Sequence, residues 1–202
     1  MNPRVTLSMI LILLGAILAF LPSSGSYSFR GKPEIVLAAA LDADSYVTVD
    51  QVARLLVNED STYQLIDLRS PEEFQAASIP DAINIPYNEL FSTHLESYLN
   101  RNVRNIFYAN GDYVANYALV VAEGLGFKDN QVMKGGLNEW YDVVMNSRFI
   151  GDKISARENA LFEIRTKARK QFTDLNSLPD SLKARYRESK EIQRKKLDGG
   201  CE

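Results

Sequence analysis

The sequence has very few of the side chains that most often build catalytic and metal centres. Its 202 residues include one cysteine, Cys201, and one histidine, His94. A single cysteine excludes an internal disulfide and any cysteine-based zinc site, because each needs more than one thiol. No second histidine or cysteine is present to complete a metal site with His94. We therefore interpret His94 as a helix-surface residue, and we expect neither a metal nor a cofactor.

The sequence also has little net charge, only −3 at pH 7, but its distribution is uneven. Residues 151–202 hold 13 of the 23 Lys and Arg residues and only 9 of the 26 Asp and Glu residues. These basic side chains are not interleaved with the series of aromatic rings that a nucleic-acid platform needs. We interpret Leu182–Lys196 as a solvated helix or a partly disordered tail, and we expect no nucleic-acid partner.

One long run carries no charge at all. It covers Val5–Leu21 and lies within the range of about 17–25 residues for a membrane-spanning helix. Two interpretations stay open, an uncleaved anchor and a cleaved signal peptide. We favour an anchor over residues 1–26, because the run exceeds the usual signal-peptide core of about 7–15 residues and no A-x-A site directly follows it. Arg4 on one side and Arg30 on the other fix the orientation only weakly, but the short tail before the run favours export of the rest, to the periplasm or outside the cell.

The remainder of the chain divides into a linker at 27–46, a globular domain at 47–148 and a helical, basic extension at 149–202. Within the domain, short apolar runs alternate with helical patterns. The predicted strands are Tyr63–Asp67, Ile83–Ile85, Ile106–Tyr108 and Gln131–Lys134, and the predicted helices follow Thr48 and Ser70, cover Asn88–Leu99, end at Gly124–Gly126, and cover Leu137–Met145. This alternation predicts an α/β domain with a central parallel sheet flanked by helices. In the extension, Ser155–Phe172 is predicted to be a helix whose apolar stripe packs on the domain.

The segment after the strand Ile106–Tyr108 is the main candidate for a functional site. A strand that enters a helix through a tight loop directs several backbone N–H groups to one point, at the positive end of the helix dipole. Such a loop can hold an anion or a nucleophile. This loop consists of Ala109, Asn110, Gly111, Asp112, Tyr113 and Val114, and it contains no Ser, Cys, Thr, Lys or His. The pattern therefore predicts the loop without its nucleophile, and Asp112 would repel an anion unless its side chain points away.

Four motifs in this order resemble the rhodanese-like sulfurtransferase family. They are LIDLRSPEEF at Leu65–Phe74, IPDAINIP at Ile79–Pro86, the strand, loop and helix at 106–127, and KGGLNEW at Lys134–Trp140. The resemblance implies the rhodanese fold, a small α/β domain with a central parallel sheet. It also implies sulfur transfer through a cysteine persulfide at the start of the loop after the fourth strand.

The sequence departs from the family pattern at the positions that carry this chemistry. Ala109 stands at the position of the family's cysteine, Val114 at that of the arginine that often ends the loop, and Ala115 at that of the following serine. Ser78 replaces the usual histidine before Ile-Pro, and Asp81 replaces the usual glycine after the proline. Because a methyl group cannot form a persulfide, we expect no catalytic residue in the loop.

Two other residues match the family's acidic and basic pair after the first long strand. These are Asp67 and Arg69, which are the candidate binding residues. A structural role competes with binding, because such residues cap turns and pair with polar groups of the neighbouring loop.

Two functions from different classes follow from these observations. The first is a catalytically inactive rhodanese-like module that is tethered to a membrane through its N-terminal helix and binds a partner protein or a small anion. The alternative is a sulfurtransferase or sulfur carrier in which Cys201 replaces the lost loop cysteine. Glu202 should raise the thiol pKa of Cys201, whereas the basic stretch Arg194–Lys196 should lower it.

Overall fold

The computed structural model describes residues 3–20, 30–90, 95–149 and 155–198. The helices are α1 (Pro3–Phe20), α2 (Pro33–Leu41), α3 (Val49–Val57), α4 (Pro71–Ala76), α5 (Leu95–Tyr98), α6 (Asp112–Gly124), α7 (Gly136–Glu139), α8 (Ala156–Asn176) and α9 (Asp180–Asp198). The strands are β1 (Tyr46–Val47), β2 (Tyr63–Asp67), β3 (Ala82–Asn84), β4 (Arg104–Tyr108) and β5 (Asn130–Met133). Short 3-10 turns lie at Ala43–Ser45 and Tyr87–Glu89, and Trp140–Met145 continues α7 as a π-helical turn.

The strands form one parallel sheet in the order β1-β5-β4-β2-β3. Strand β4 lies at the centre, where Ile106 pairs with Leu65 of β2 and with Gln131 of β5. The side chains of Leu65 and Ile106 are fully buried, as expected for a parallel sheet that is covered on both faces. The predicted α/β fold with a parallel sheet flanked by helices is therefore confirmed.

Neighbouring residues along each strand point to opposite faces of the sheet and so build two separate cores. On one face, Leu65 and Ile106 join Trp140 and Phe172 in a cluster beneath α3, α8 and the π-helical turn. On the other face, Ile66 of β2 packs in a second cluster with the buried residues of α6. The central strand is thus fixed from both sides, which also fixes the loop at its carboxyl end.

Local sequence signals determine where several helices begin. Thr48 and Ser70 each accept a hydrogen bond from the backbone N–H group three residues later, and in both cases the third residue returns a bond to close a capping box. Pro71 occupies the first turn of α4, where its missing N–H group costs nothing. Both helix starts agree with the sequence prediction.

The C-terminal extension is packed more closely on the domain than the sequence suggests. In α8 the buried residues Ala168 and Phe172 join the first core cluster, which confirms the predicted apolar stripe. The predicted helix is confirmed, and most of the described residues of α9 are exposed, but the helix is attached to the domain on one side, where Lys183 is only 4% exposed. Its Nζ donates to the carbonyl oxygens of Gln75 and Ala76 at the end of α4. Polar contacts of long basic side chains, rather than an apolar stripe, hold this helix in place.

The N-terminal apolar segment forms α1, an 18-residue helix. In the part of the chain that the structure describes, no helix is long and apolar enough to cross a membrane. Helix α1 has a length of about 27 Å at about 1.5 Å per residue. That length includes Pro3 and Arg4, and so the apolar part is shorter than a hydrocarbon core of about 30 Å. The predicted membrane-spanning helix at Val5–Leu21 is therefore not supported.

Two further predictions differ from the structure. In place of a continuous helix at Asn88–Leu99, a 3-10 turn at Tyr87–Glu89 is followed by the short helix α5. Residues 91–94, including His94, lie outside the described part of the chain, as does Cys201. The two-residue strand β1, which pairs with β5 at the sheet edge, is not predicted from the sequence.

Candidate functional site

The loop after β4 is held in place by the N-terminus of α7. The carbonyl oxygen of Ala109 accepts a hydrogen bond from the N–H group of Leu137 at 2.8 Å, and that of Asn110 accepts one from Asn138 at 3.1 Å. The side chain of Ala109 is part of the second core cluster, and the residue is only 5% exposed. The residue at the start of the loop therefore carries a buried methyl group.

Two glycines permit this close approach of α7 to the loop. Gly135 and Gly136 have positive φ angles of 74° and 57°, a conformation that costs glycine little and other residues more. A Cβ atom on Gly136 would lie 2.5 Å from the carbonyl oxygen of Ala109, far inside van der Waals contact. The Gly-Gly pair in the KGGLNEW motif is therefore required by the packing of the loop.

Two acidic side chains bring negative charge to the loop. The carboxylate of Asp112 accepts a short hydrogen bond from the N–H group of Gly135. The carboxylate of Glu73 in α4 accepts a hydrogen bond from the side-chain amide of Asn110 at 2.9 Å. This bond from Asn110 is the main reason that the pKa of Glu73 is lowered, and it favours the charged form of Glu73.

Asp67 and Arg69 form a closed, buried ion pair. The Nε and Nη2 atoms of Arg69 donate to the carboxylate of Asp67 at 3.0 and 2.6 Å, and Nη2 also donates to the carbonyl oxygen of Ala77 at 2.6 Å. The side chain of Arg69 is 7% exposed and that of Asp67 is 0% exposed. Burial lowers the pKa of Arg69, but the hydrogen bonds and charge of Asp67 outweigh it, and the net pKa is raised. Arg69 is therefore directed at a partner within the protein rather than at solvent.

Tyr108 completes this polar cluster beneath the loop. Its hydroxyl oxygen accepts a hydrogen bond from the N–H group of Ile79 at 3.3 Å. Burial raises the pKa of Tyr108 well above its ordinary value, and the neighbouring carboxylate of Asp67 raises it further. Together, Tyr108 and Arg69 fix the chain that leaves α4, because they bind the backbone of Ile79 and Ala77.

The two departures from the family pattern between α4 and β3 are contacts with the C-terminal extension. The hydroxyl oxygen of Ser78 accepts a hydrogen bond from Arg187 at 3.2 Å. The carboxylate of Asp81 accepts one from the hydroxyl of Tyr186 at 3.0 Å and forms an ion pair with Lys190 at 3.3 Å. These two positions therefore serve the attachment of α9.

A group of exposed tyrosines adjoins the loop and was not identified from the sequence. Tyr113, within the loop, is 73% exposed, and Tyr117 and Tyr87 are 42% and 39% exposed. The ring of Tyr117 makes edge contacts with both others, at centroid distances of 5.1 Å to Tyr113 and 6.3 Å to Tyr87. We call these three residues the tyrosine patch. The available signal was the spacing of four residues between Tyr113 and Tyr117, which places both on one side of α6.

Within residues 3–20, 30–90, 95–149 and 155–198, no group of three or more His, Cys, Asp and Glu side chains is arranged to hold a metal ion.

Comparison with known proteins identifies the family of the central segment. The family model described as "Rhodanese-like domain" matches residues 48–142. Among curated proteins, the chain is similar to "Adenylyltransferase and sulfurtransferase UBA4" of Scheffersomyces stipitis, with 29% identity over 132 residues, which are 60% of this chain and 28% of that protein. The protein of the same name from Debaryomyces hansenii is 33% identical over 85 residues, which are 38% of this chain and 18% of that protein. The chain therefore spans less than a third of the length of these relatives.

Among solved structures, the single-domain sulfurtransferase RDL2 of Saccharomyces cerevisiae is 25% identical, with a TM-score of 0.43, over 50% of this chain and 92% of that one. The family-model match covers the four motifs, the strands β2 to β5 and the loop after β4. Residues 48–142 of this chain therefore belong to the rhodanese-like domain family.

Proposed function

We propose that this chain is a binding module of the rhodanese-like family and that it transfers no sulfur through the loop after β4. The observation that carries the proposal is Ala109. Its methyl group lies at the start of the loop, where sulfur transfer through a persulfide would need a thiolate. The backbone around it is well ordered by α7, and so the fold of the site is maintained while its nucleophile is not.

The charges around the loop favour a protein partner over a small anion. Glu73 and Asp112 bring two carboxylates to the loop, and Arg69 is neutralised by Asp67. A thiosulfate or other anionic sulfur donor would therefore meet repulsion at this site, although the N-terminus of α6 would attract it. The side chain of Asp112 is itself used to fix Gly135 and is not free to move aside without loss of a hydrogen bond.

The tyrosine patch is the surface that we propose for the partner. Aromatic side chains are enriched in the cores of protein interfaces, because they bury large areas at a small cost in conformational entropy. Tyr113 is held by a contact between its hydroxyl group and that of Tyr117 at 3.2 Å, which limits the freedom that it would lose on binding. A ring with both an apolar face and an exposed hydroxyl suits a protein interface that is partly hydrated.

Two measurements on the purified full chain test this proposal. The first is transfer of sulfur from thiosulfate to cyanide, for which we expect no rate above the uncatalysed reaction. The second replaces Tyr113 by a photoreactive phenylalanine derivative and looks for a cross-linked protein in cells. The matched control places the same group at Lys167, an exposed position on α8. Turnover in the first assay, or the same products from both positions in the second, would refute the proposal.

Attachment of the module to a membrane is a further part of the proposal. Helix α1 exposes large apolar side chains, among them Leu7, Ile10 and Ile12 at 62%, 60% and 73%. Exposed apolar surface of this kind is typical of segments that contact lipid or a partner. We propose that α1 inserts these side chains into a membrane surface, with the domain on the exported side. Co-sedimentation with phosphatidylcholine vesicles should decrease strongly when residues 1–26 are removed.

The alternative function is sulfur transport by Cys201. Its support is the name of the curated relatives, "Adenylyltransferase and sulfurtransferase UBA4". Cys201 itself lies outside the described part of the chain.

A further inference from the structure

A cavity of about 560 Å³ lies between the sheet edge and the C-terminal helix. One wall is the edge strand β3, a second is the segment Tyr98–Arg101 before β4, and a third is the face of α9 that carries Tyr186, Arg187 and Lys190. Small-molecule sites usually have volumes of about 300–1,000 Å³. This cavity adjoins the amino ends of β3 and β4, whereas the loop 109–114 follows the carboxyl end of β4. It is therefore separate from the site of the family's chemistry.

The cavity combines an apolar wall with an arginine that is only partly satisfied. Phe74, Ile79 and Leu175 contribute buried apolar surface. Arg187 lies with its guanidinium group 4.2 Å from the centre of the Phe74 ring. Its Nη1 and Nη2 atoms donate to the side chain of Gln75, the carbonyl oxygen of Phe74 and the hydroxyl of Ser78, all of which are neutral.

Within the described residues, the side chain of Arg187 forms no ion pair. Its Nε atom is buried and has no hydrogen-bond partner, and among the described residues no carboxylate accepts a hydrogen bond from this side chain. Buried charges in proteins are normally paired, because removal from water is costly. Burial lowers the pKa of Arg187, which shows that distant carboxylates do not offset the loss of water around it. An anion that entered the cavity would supply the missing charge.

The other charges of the cavity limit the ligand to a single negative charge. Lys190 adds positive charge but already pairs with Asp81, and Glu191 also lines the wall, whereas the guanidinium group of Arg101 lies over the ring of Phe127, which is not part of the cavity. Arg187 is therefore the charge that an anion in the cavity would neutralise. A doubly charged phosphate would be repelled by the two carboxylates more strongly than a monocarboxylate would. The apolar wall requires that the ligand also carry an aliphatic or aromatic body.

We infer that this cavity binds a small organic monocarboxylate, with its carboxylate at Arg187 and its apolar body against Phe74, Ile79 and Leu175. The site does not depend on the absence of a nucleophile at Ala109. It makes the C-terminal extension part of a ligand site, because α9 supplies the cation and closes the cavity.

The test is an NMR titration of the ¹⁵N-labelled full chain with benzoate, octanoate and indole-3-acetate. The neutral control is benzamide, and the control for a doubly charged anion is inorganic phosphate. We expect saturable shifts from at least one carboxylate, confined to the backbone amides of Ala82–Asn84, Tyr98–Arg101 and Tyr186–Glu191. Benzamide and phosphate should give weaker shifts at equal concentration. No saturable shift from any of the three carboxylates, or shifts elsewhere on the protein, would overturn the inference.

Substitutions on α9 separate a specific site from general attraction of anions. Arg187→Gln should weaken carboxylate binding at least about tenfold, since a hydrogen bond to a charged group is lost. Arg185→Gln removes an equal charge from an exposed position on the same helix and should leave binding unchanged.

Because Arg187 also contacts α4, Glu191→Gln serves as the second variant. It removes a negative charge from the cavity wall and should tighten binding. Equal affinities for Arg187→Gln and Arg185→Gln, or weaker binding by Glu191→Gln, would contradict the inference.

Discussion

Asn176, near the end of α8, binds the backbone of Ser78 in both directions. Its side-chain oxygen accepts from the N–H group of Ser78, and its side-chain nitrogen donates to the carbonyl oxygen of Ser78, both at 2.9 Å. Ser78 is 1% exposed, and so this pairing replaces water for both polar groups. The C-terminal extension therefore completes the hydrogen bonding of the domain at the segment between α4 and β3.

This relationship leads to a prediction about stability. Asn176→Ala leaves the N–H and C=O groups of Ser78 buried without a partner, and we expect a loss of about 2–4 kcal/mol in the free energy of unfolding. Asn159→Ala is the matched control, because it removes an amide from an exposed position of the same helix and should change stability by less than about 0.5 kcal/mol. Urea denaturation followed by tryptophan fluorescence measures both, because Trp140 lies beside Phe172. Similar losses in the two variants would show that the Ser78 pairing contributes little.

The ion pair of Asp67 and Arg69 predicts a second large effect. Asp67→Asn leaves the charge of Arg69 buried and unpaired, and we expect a loss of about 3–5 kcal/mol in the free energy of unfolding. The comparison is Lys170→Gln, which breaks a pair with Asp174 whose side chains are 76% and 61% exposed. This exposed pair should contribute no more than about 0.5 kcal/mol. A small effect of Asp67→Asn would argue against a structural role and in favour of binding by these residues.

The loop predicts a local dependence on pH. The pKa of Glu73 is lowered from its ordinary value of 4.5, chiefly by the bond from Asn110. A carboxyl group with a depressed pKa stabilises the folded state fully above its unfolded-state pKa, and this contribution is lost as the pH falls through the folded-state pKa. The side-chain amide signals of Asn110 in NMR spectra should therefore stay constant above about pH 5 and shift below about pH 4.5. In Asn110→Ala, the pKa of Glu73 should rise; an unchanged titration of Glu73 would exclude this coupling.

Restoration of the missing thiol should not by itself restore sulfur transfer. In Ala109→Cys the new thiol replaces a methyl group that is buried in the second core cluster, and burial among apolar side chains disfavours a thiolate. We expect thiocyanate formation from thiosulfate and cyanide at the background rate in this variant, and a measurable rate only when Val114→Arg is added to supply positive charge. Full activity of Ala109→Cys alone would show that the loop already suits catalysis.

Sequence reasoning predicted the parts of the structure that local patterns determine. The buried strands Tyr63–Asp67 and Ile106–Tyr108 are apolar runs bounded by turns, and the capping residues Thr48 and Ser70 act within four residues of chain. The short edge strand β1 and the 3-10 turn at Tyr87–Glu89 have weak local signals and depend on neighbours that are distant in the chain. The sheet was therefore predictable, whereas its edges were not.

The site was predictable in composition but not in its contacts. The motif order located Ala109 and the pair of Asp67 and Arg69, yet only the fold shows that Asp112 turns to Gly135. Helix α9 was predicted as a solvated helix or a partly disordered tail, and its attachment to α4 was not predicted, because charged residues give no local signal of such contacts. Its Lys183 and Arg187, four residues apart, reach carbonyl oxygens of α4 that are 107 to 113 residues away in the chain.

The most direct test of the central claim is to look for sulfur on the protein itself. The soluble form, Ala40 to Glu202, and its Cys201→Ser variant are reduced, incubated with thiosulfate or polysulfide and weighed by intact-protein mass spectrometry. We expect Cys201 to acquire no more sulfur in the folded protein than in a peptide of the last twelve residues, and Cys201→Ser to acquire none. A sulfur adduct on Cys201 that forms only when the domain is folded would contradict a binding module and establish a sulfur carrier.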